Sequence, residues 1–124
     1  MYQIEFYRKE NGESEILDFL EELREKSLTS KDSRIQFKQI AYYMQLLEEN
    51  GTRLPETIIK HIDDDIWELR PGVNRVFFFY YKDDTFVLLH HFRKKSKKTP
   101  HKEIERAKAE RDDYLQRGGM NNGR

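Results

Sequence analysis

Basic residues crowd the last third of the sequence and are the first candidates for chemistry. Six Lys or Arg residues and no acidic residue occur between Arg93 and Lys102, although the 124-residue chain has a formal net charge of zero. Residues 93–124 carry 11 basic and 5 acidic residues. Such a block is a candidate phosphate-binding surface, but a solvated charged face or a flexible arm has the same composition.

Two arginines and two histidines upstream of this block add further reactive groups. Arg70 ends one predicted strand and Arg75 begins the next, so a hairpin would bring their guanidinium groups together. Arginine suits bidentate binding of phosphate, although each could instead pair with an acid such as Glu68. His90 and His91 could transfer protons near neutral pH, or could be packed or hydrogen-bonded within a sheet.

The composition excludes several kinds of site. The chain has no cysteine, which rules out disulfides, thiolate nucleophiles and cysteine-based zinc sites. Asp63, Asp64 and Asp65 are adjacent and would not converge on one ion, so they are interpreted as a solvated turn. We therefore expect no metal and no cofactor.

The length fits one domain, which we place at residues 1–118, followed by a flexible tail at residues 119–124. No stretch has the apolar length of a signal peptide or a membrane span. A cytoplasmic protein without membrane contact is the expectation.

The first half of the chain predicts a strand and a helical hairpin. Alternating apolar residues over Tyr2–Arg8 predict a strand with one buried face. Apolar stripes at helical spacing predict a helix over about residues 13–26 and a second one that begins near Ser30 and stops at Asn50-Gly51.

The second half predicts a sheet and a final helix. Pro55 marks residues 52–65 as a loop, and strands are predicted at Ile66–Arg70, Asn74–Tyr81 and Thr85–Phe92. Thr99 is the predicted N-cap of a helix that has Pro100 at its first position and ends at Gly118-Gly119. The order β-α-α-β-β-β-α predicts an α+β fold, with a small, mostly antiparallel sheet packed against the N-terminal helical hairpin and a C-terminal helix.

A series of short motifs in this order resembles the RelE/ParE superfamily of bacterial toxins, and within it the HigB-type, phage-derived branch. The motifs span Leu54 to Leu115. They are Leu54-Pro55, Lys60, Ile66-Trp67-Glu68-Leu69-Arg70, Asn74-Arg75-Val76, Leu88-Leu89-His90-His91-Phe92-Arg93-Lys94-Lys95, and Lys98-Thr99-Pro100 followed by Glu103-Ile104-Glu105-Arg106-Ala107.

The resemblance implies the toxin of a type II toxin–antitoxin system. Such a toxin would be an endoribonuclease (an mRNA interferase) that cuts mRNA on the ribosome without a metal and so inhibits translation. Its implied partner is a HigA-like helix-turn-helix antitoxin, and it would reach DNA only through the antitoxin complex.

The same resemblance gives the candidate residues their roles. Arg70 and Arg75 would clamp the phosphate, and Lys94, with Lys95 as the alternative, would be the transition-state cation or proton donor. His90 and His91 would be acid–base groups; in a regular strand His90 shares a face with Lys94, and His91 lies on the other face. Binding of RNA or the ribosome would fall to Lys60, Phe92, Arg93, Lys97 and Lys98.

Two other functions remain open from the sequence. ParE-like members of the same fold inhibit DNA gyrase by binding it, without catalysis. A non-toxic interaction module with a basic, nucleic-acid-binding tail is the third interpretation. The basic residues at the strand ends favour RNA over gyrase.

Overall fold

A computed structural model describes residues 1–118 of the chain, which form five strands and three helices. In chain order these are β1 (Gln3–Phe6), α1 (Glu15–Lys26), α2 (Lys31–Asn50), β2 (Ile59–Asp63), β3 (Ile66–Leu69), β4 (Asn74–Tyr80), β5 (Thr85–Arg93) and α3 (His101–Gln116). The predicted tail at residues 119–124 lies outside the described residues. Among residues 1–118, no helix is both long and apolar enough to span a bilayer.

The five described strands form one sheet in the order β1-β5-β4-β3-β2. β1 runs parallel to β5, and every other pair of neighbouring strands is antiparallel. The predicted α+β fold with a mostly antiparallel sheet is confirmed. Because β4 and β5 are central, their nearly continuous apolar runs are covered on both faces.

The helices cover the two faces of the sheet separately. On one face, Ile16 of α1 and Leu47 of α2 pack in a cluster with Phe78. On the other face, which we call the α3 face, Tyr114 packs edge-to-face against Phe79 at a centroid distance of 5.8 Å. Side chains that alternate along a central strand therefore enter two different cores.

The ends of the hairpin helices follow from local sequence. The side chain of Ser14 accepts a hydrogen bond from the backbone of Leu17 at 3.3 Å, and Ser30 begins α2 in the same way. Gly51 ends α2 with a φ of 61°, and a Cβ at this position would lie 2.8 Å from the ring of Tyr2. Glycine is therefore required both by its conformation and by the close approach of that ring.

The loop predicted for residues 52–65 is wrong for Ile59–Asp63, which form the edge strand β2. The register between β2 and β3 shifts between His61 and Asp63, which places Ile62 in an irregularity. The two apolar residues of β2 pack on opposite faces of the sheet, Ile59 in the cluster with Phe78 and Ile62 against the cluster with Phe79. Neither face of β2 therefore shows the alternation by which a strand is recognised in sequence.

The predicted start of α3 is also corrected. Pro100, not Thr99, is the N-cap residue, and its side chain makes no capping hydrogen bond. The Thr99 hydroxyl instead donates to Glu68 Oε2 at 3.1 Å. Thr99 therefore fastens the loop before α3 to the sheet.

A bulge in β5 decides which face each of its last residues occupies. Val76 is opposite His91 while Phe78 is opposite Leu88, so β5 has one more residue than β4 in this interval. Leu88 packs on the face of the sheet that α1 and α2 cover, whereas His90, two positions later, lies on the α3 face. The bulge thus reverses the alternation before the strand reaches its basic end.

Candidate functional site

An open concavity of about 240 Å³ lies on the α3 face, where the ends of β3, β4 and β5 meet the loop that leads into α3. We call it the cationic cleft, because six of its lining residues are Lys or Arg and one is acidic. It is lined by Glu68, Arg70, Arg75, Phe92, Lys94, Lys95, Ser96, Lys97, Lys98, Thr99 and Pro100. Four predicted catalytic residues and three predicted RNA-binding residues are thereby brought together.

Glu68 forms a junction between the elements that surround the cleft. Its side chain is only 2% exposed, and Oε1 lies 3.5 Å from Arg70 Nε and 3.9 Å from Arg75 Nε. Oε2 accepts the hydrogen bond from Thr99. A single buried carboxylate thus faces two guanidinium groups and a hydroxyl, which come from three different segments.

Both arginines are held by further contacts. Arg75 Nη1 donates to the carbonyls of Gly72 at 2.7 Å and Asn74 at 2.9 Å, and burial lowers the pKa of this guanidinium from its usual value. Arg70 Nη1 donates to the Glu56 carbonyl at 2.9 Å. Arg70 Nε is buried and finds no hydrogen-bond partner among the described residues. Nη2 of both arginines makes no hydrogen bond within residues 1–118, so each retains a donor group that an anionic ligand can use.

The lysines of the cleft contrast with most basic residues on and just after α3. Arg106, Lys108 and Arg111 of α3, and Arg117 directly after it, form ion pairs with carboxylates. Within residues 1–118, none of the cleft lysines lies within 4.0 Å of a carboxylate. These four are Lys94, Lys95, Lys97 and Lys98. Their positive charge is therefore available to an external anion.

A second concavity adjoins the cleft and has an open volume of about 550 Å³. It shares four residues with the cleft, namely Arg70, Lys97, Lys98 and Thr99. Lys60, His61 and Ile62 of β2 and Ile104 of α3 complete its lining. Lys60, a predicted RNA-binding residue, therefore lies beside the cleft rather than within it.

His90 does not reach the cleft. Its side chain is 0% exposed, and its two ring nitrogens lie 2.6 Å from Glu110 Oε1 and 2.9 Å from Glu103 Oε1. Its ring also contacts Phe77 edge-to-face. The imidazole lies between the sheet and α3, where these contacts occupy both nitrogens, so we assign no catalytic role to His90.

His91 and Arg93 lie outside the cleft as well. The His91 ring stacks on Phe19 of α1 at a centroid distance of 3.7 Å, and burial lowers the pKa of the imidazole. Its Nδ1 has no hydrogen-bond partner among residues 1–118. Arg93 is exposed and does not line the cleft. His91, a predicted acid–base group, and Arg93, a predicted RNA-binding residue, are therefore not among the residues that line the cleft.

The acidic turn between β2 and β3 has a role that sequence reasoning missed. Lys108 of α3 binds Asp63 at 2.7 Å, and Arg111 binds Asp64 at 2.9 Å and also Asp65. The turn interpreted as merely solvated therefore fastens α3 to the end of the β2–β3 hairpin. Sequence offered only a weak signal, since basic residues three apart on a helix usually face solvent.

No three His, Asp or Glu side chains among residues 1–118 are grouped as a metal site. What the cleft can do is bind an anion with several cationic groups and hold it against Phe92.

These features define an α+β protein of the RelE-like type, with a cationic cleft at one end of its central strands. The family model described as "Phage derived protein Gp49-like (DUF891)" matches residues 18–112. The chain therefore belongs to the Gp49-like family, a toxin-like family of the RelE/HigB type. No curated protein matches the chain.

Proposed function

We propose that this protein is a HigB-type toxin of a type II toxin–antitoxin system that cuts mRNA on the ribosome. One observation carries the proposal: six cationic side chains from separate strands and one loop line a single cleft. A polyanion bound across the ends of β3, β4 and β5 would contact all of these charges. Membership of a toxin-like family supports the same conclusion.

The proposed reaction needs no metal. The 2′ hydroxyl of the RNA gives its proton to solvent water in the open cleft as its oxygen attacks the adjacent phosphorus. The bond to the 5′ oxygen breaks, and the products are a 2′,3′-cyclic phosphate and a 5′ hydroxyl. Arg70 and Arg75 bind the non-bridging oxygens as their negative charge grows. Lys94 donates a proton to the leaving 5′ oxygen, with Lys95 as the alternative donor.

Four other cleft residues support this chemistry. Glu68 positions the arginines through its contacts with Nε of both. Phe92 is half-buried at the rim and offers a ring face on which a base can stack. Lys97 and Lys98 contact the RNA or ribosome backbone through charge rather than by reading bases.

The proposed inhibitor is a HigA-like helix-turn-helix antitoxin. An antitoxin that places carboxylates in the cationic cleft would neutralise the lysines that lack ion pairs within the described chain. The complex, rather than the toxin alone, would contact DNA.

The test is cleavage in a bacterial translation extract with mapped mRNA 5′ ends. We expect Arg70→Ala and Lys94→Ala each to lower the cleavage rate by about 100-fold, since each removes a group that stabilises the transition state. Arg93→Ala is the matched control, because Arg93 adjoins Lys94 in sequence and lies outside the cleft. Its rate should stay within about twofold of the wild type.

Cutting that survives the double substitution of Arg70 and Lys94 by alanine would refute the proposal. A supercoiling assay on the same preparations distinguishes the ParE-like alternative. Loss of gyrase activity with intact mRNA would replace RNA cleavage by gyrase binding as the function of the protein.

A further inference from the structure

We propose that the second concavity, beside the cationic cleft, is a nucleotide subsite that holds a neighbouring nucleotide of the bound RNA. The proposal rests on the proposed function for the identity of the ligand. It adds a binding site on β2, the strand that sequence analysis had interpreted as a loop.

The position of the concavity suits the next unit of a nucleic-acid strand. Arg70, Lys97 and Lys98 line both concavities, so a phosphate bound by these residues would lie at the boundary between them. Lys60 on β2 is opposite Glu68 on β3 and is exposed. Lys60 therefore offers a further ammonium group on the strand next to β3, where it can bind the next phosphate of the RNA.

The lining of the subsite combines charge with an apolar wall. Ile62 and Ile104 are both partly buried and pack against the core on the α3 face. Their outer surfaces form an apolar contact in a setting that is otherwise cationic. A nucleotide has the matching parts, because its base presents a flat apolar face and its phosphate a negative charge.

The walls of the subsite are fixed in place. The ion pair between Lys108 and Asp63 joins α3 to the end of β2, and Arg111 holds Asp64 in the same turn. A ring N–H of His61, at Nε2, donates to the carbonyl of Asp64 at 2.6 Å. Because both sides are tethered, the width of the concavity is set before the ligand arrives, which lowers the entropic cost of binding.

The test compares RNAs of two lengths that carry 2′-O-methyl groups and therefore cannot be cut. A dinucleotide fills the cationic cleft alone, whereas a tetranucleotide also reaches the subsite. We expect Lys60→Ala to weaken tetranucleotide binding and to lower the slope of log affinity against log salt by about 0.7, the value for one phosphate contact on single-stranded RNA. Dinucleotide binding should not change.

Lys38→Ala is the matched control. Lys38 is an exposed lysine of α2, on the opposite side of the sheet, and forms no ion pair with the described residues. As a second readout, NMR of the methyl groups should show shifts of Ile62 and Ile104 with the tetranucleotide and not with the dinucleotide. Base rings stacked on these methyls would cause the shifts.

The subsite is refuted if Lys60→Ala leaves tetranucleotide affinity unchanged, if both RNAs lose affinity equally, or if the wild-type protein binds neither RNA. These results do not depend on the ribosome. A protein that shows length-dependent binding and yet cuts no mRNA in the extract keeps the subsite and loses the proposed endonuclease activity.

Discussion

Glu68 is the one acid among the residues that line the cationic cleft, and its buried carboxylate also positions the residues around it. It contacts Arg70, Arg75 and Thr99, which belong to different segments of the chain. The sequence suggested for Glu68 only an ion pair with one of the arginines. The structure shows both arginines beside the carboxylate and also at the cleft, so pairing and exposure to a ligand coexist.

Replacing Glu68 by Gln tests this positioning role. Gln keeps the shape but leaves two guanidinium groups without their buried counter-charge, so we expect a loss of about 2 kcal/mol in the free energy of unfolding. In the extract, folded protein should bind mRNA with unchanged or higher affinity and cut it at least about tenfold more slowly.

The measurements for this variant are urea unfolding and the cleavage rate at saturating protein. Glu25→Gln, which changes an exposed carboxylate of α1, is the control and should match the wild type in both. A Glu68→Gln protein that is destabilised and yet cuts at the wild-type rate would show that Glu68 is purely structural.

At the scale of elements, His90 connects β5 to α3. It contacts Glu103 in the first turn of the helix and Glu110 two turns later, so one buried side chain fixes the orientation of α3 on the sheet. Since α3 begins beside the cleft at Pro100, this contact also sets the position of the loop that carries the lysines. His90 therefore acts on the cleft from outside it.

We expect His90→Gln to lower the free energy of unfolding by about 2 to 3 kcal/mol, because two carboxylates lose part of their hydrogen bonding in a buried place. Cleavage per folded molecule should fall by less than about fivefold. Thermal unfolding and extract cleavage measure the two quantities. A fall of about 100-fold or more in rate, with stability unchanged, would instead restore the sequence-based hypothesis of an acid–base histidine.

A second connection joins α3 to α1. Arg106 Nη2 donates to Glu15 Oε1 at 2.6 Å, and the hydrogen bond from this guanidinium lowers the pKa of Glu15 from 4.5 to about 2. Because the folded-state pKa lies below the ordinary value, the ionised carboxylate stabilises the fold above about pH 4.5. That contribution is lost as the pH falls towards about 2.

Glu15→Gln should therefore destabilise the protein at neutral pH and make little difference in acid. The pair is about 40% exposed, so the expected loss at pH 7 is below about 1 kcal/mol. Urea unfolding at about pH 7, 4 and 2 gives the comparison, with Glu13→Gln as the control. A stability gap that is constant across this range would contradict the proposed linkage.

Elements with regular periodicity were predictable from the sequence, and irregular ones were not. Both hairpin helices and four strands of the sheet follow from apolar patterns, and the ends of α2 follow from Ser30 and Gly51. β2 was not predicted because its two apolar residues, Ile59 and Ile62, pack on opposite faces of the sheet, so that neither face shows alternation. The bulge in β5 was equally hidden, since the run Phe86–Leu89 is wholly apolar and has no alternation to interrupt.

The bulge in β5 also limited prediction of the site. Arg70 and Arg75 could be paired from the hairpin they flank, whereas His91 and Arg93 could not be assigned to a face, because the bulge in β5 decides it. Assigning these two residues to a face of the sheet requires the register between β4 and β5. That register depends on contacts between strands and cannot be read from the local sequence.

At the scale of the whole molecule, positive charge without an ion-pair partner is concentrated on one surface. The chain is formally neutral, and yet the two adjoining concavities are lined by seven cationic side chains and one carboxylate. Arg106, Lys108 and Arg111 of α3, in contrast, form ion pairs with neighbouring acids. Attraction of a polyanion therefore depends on one surface and not on net charge.

The salt dependence of RNA binding tests this distribution. We expect Lys97→Glu with Lys98→Glu to weaken binding of single-stranded RNA and to lower the salt slope by about 1.4, the value for two lost phosphate contacts. Lys31→Glu with Lys38→Glu changes net charge equally on α2 and should leave the slope unaltered. Filter binding between about 50 and 200 mM salt measures it, and equal slopes for the two double variants would argue for net charge alone.

The parallel pairing of β1 with β5 has a consequence for the order in which the molecule is built. Gln3 is opposite Thr85, so the one described strand that pairs with β1 comes about 80 residues later in the chain. During synthesis the helical hairpin can form early from local contacts, but the sheet closes only when β5 emerges. The cationic cleft, assembled from Glu68 to Pro100, is thus among the last parts to take shape, and a nascent chain remains inert while most of it is already made.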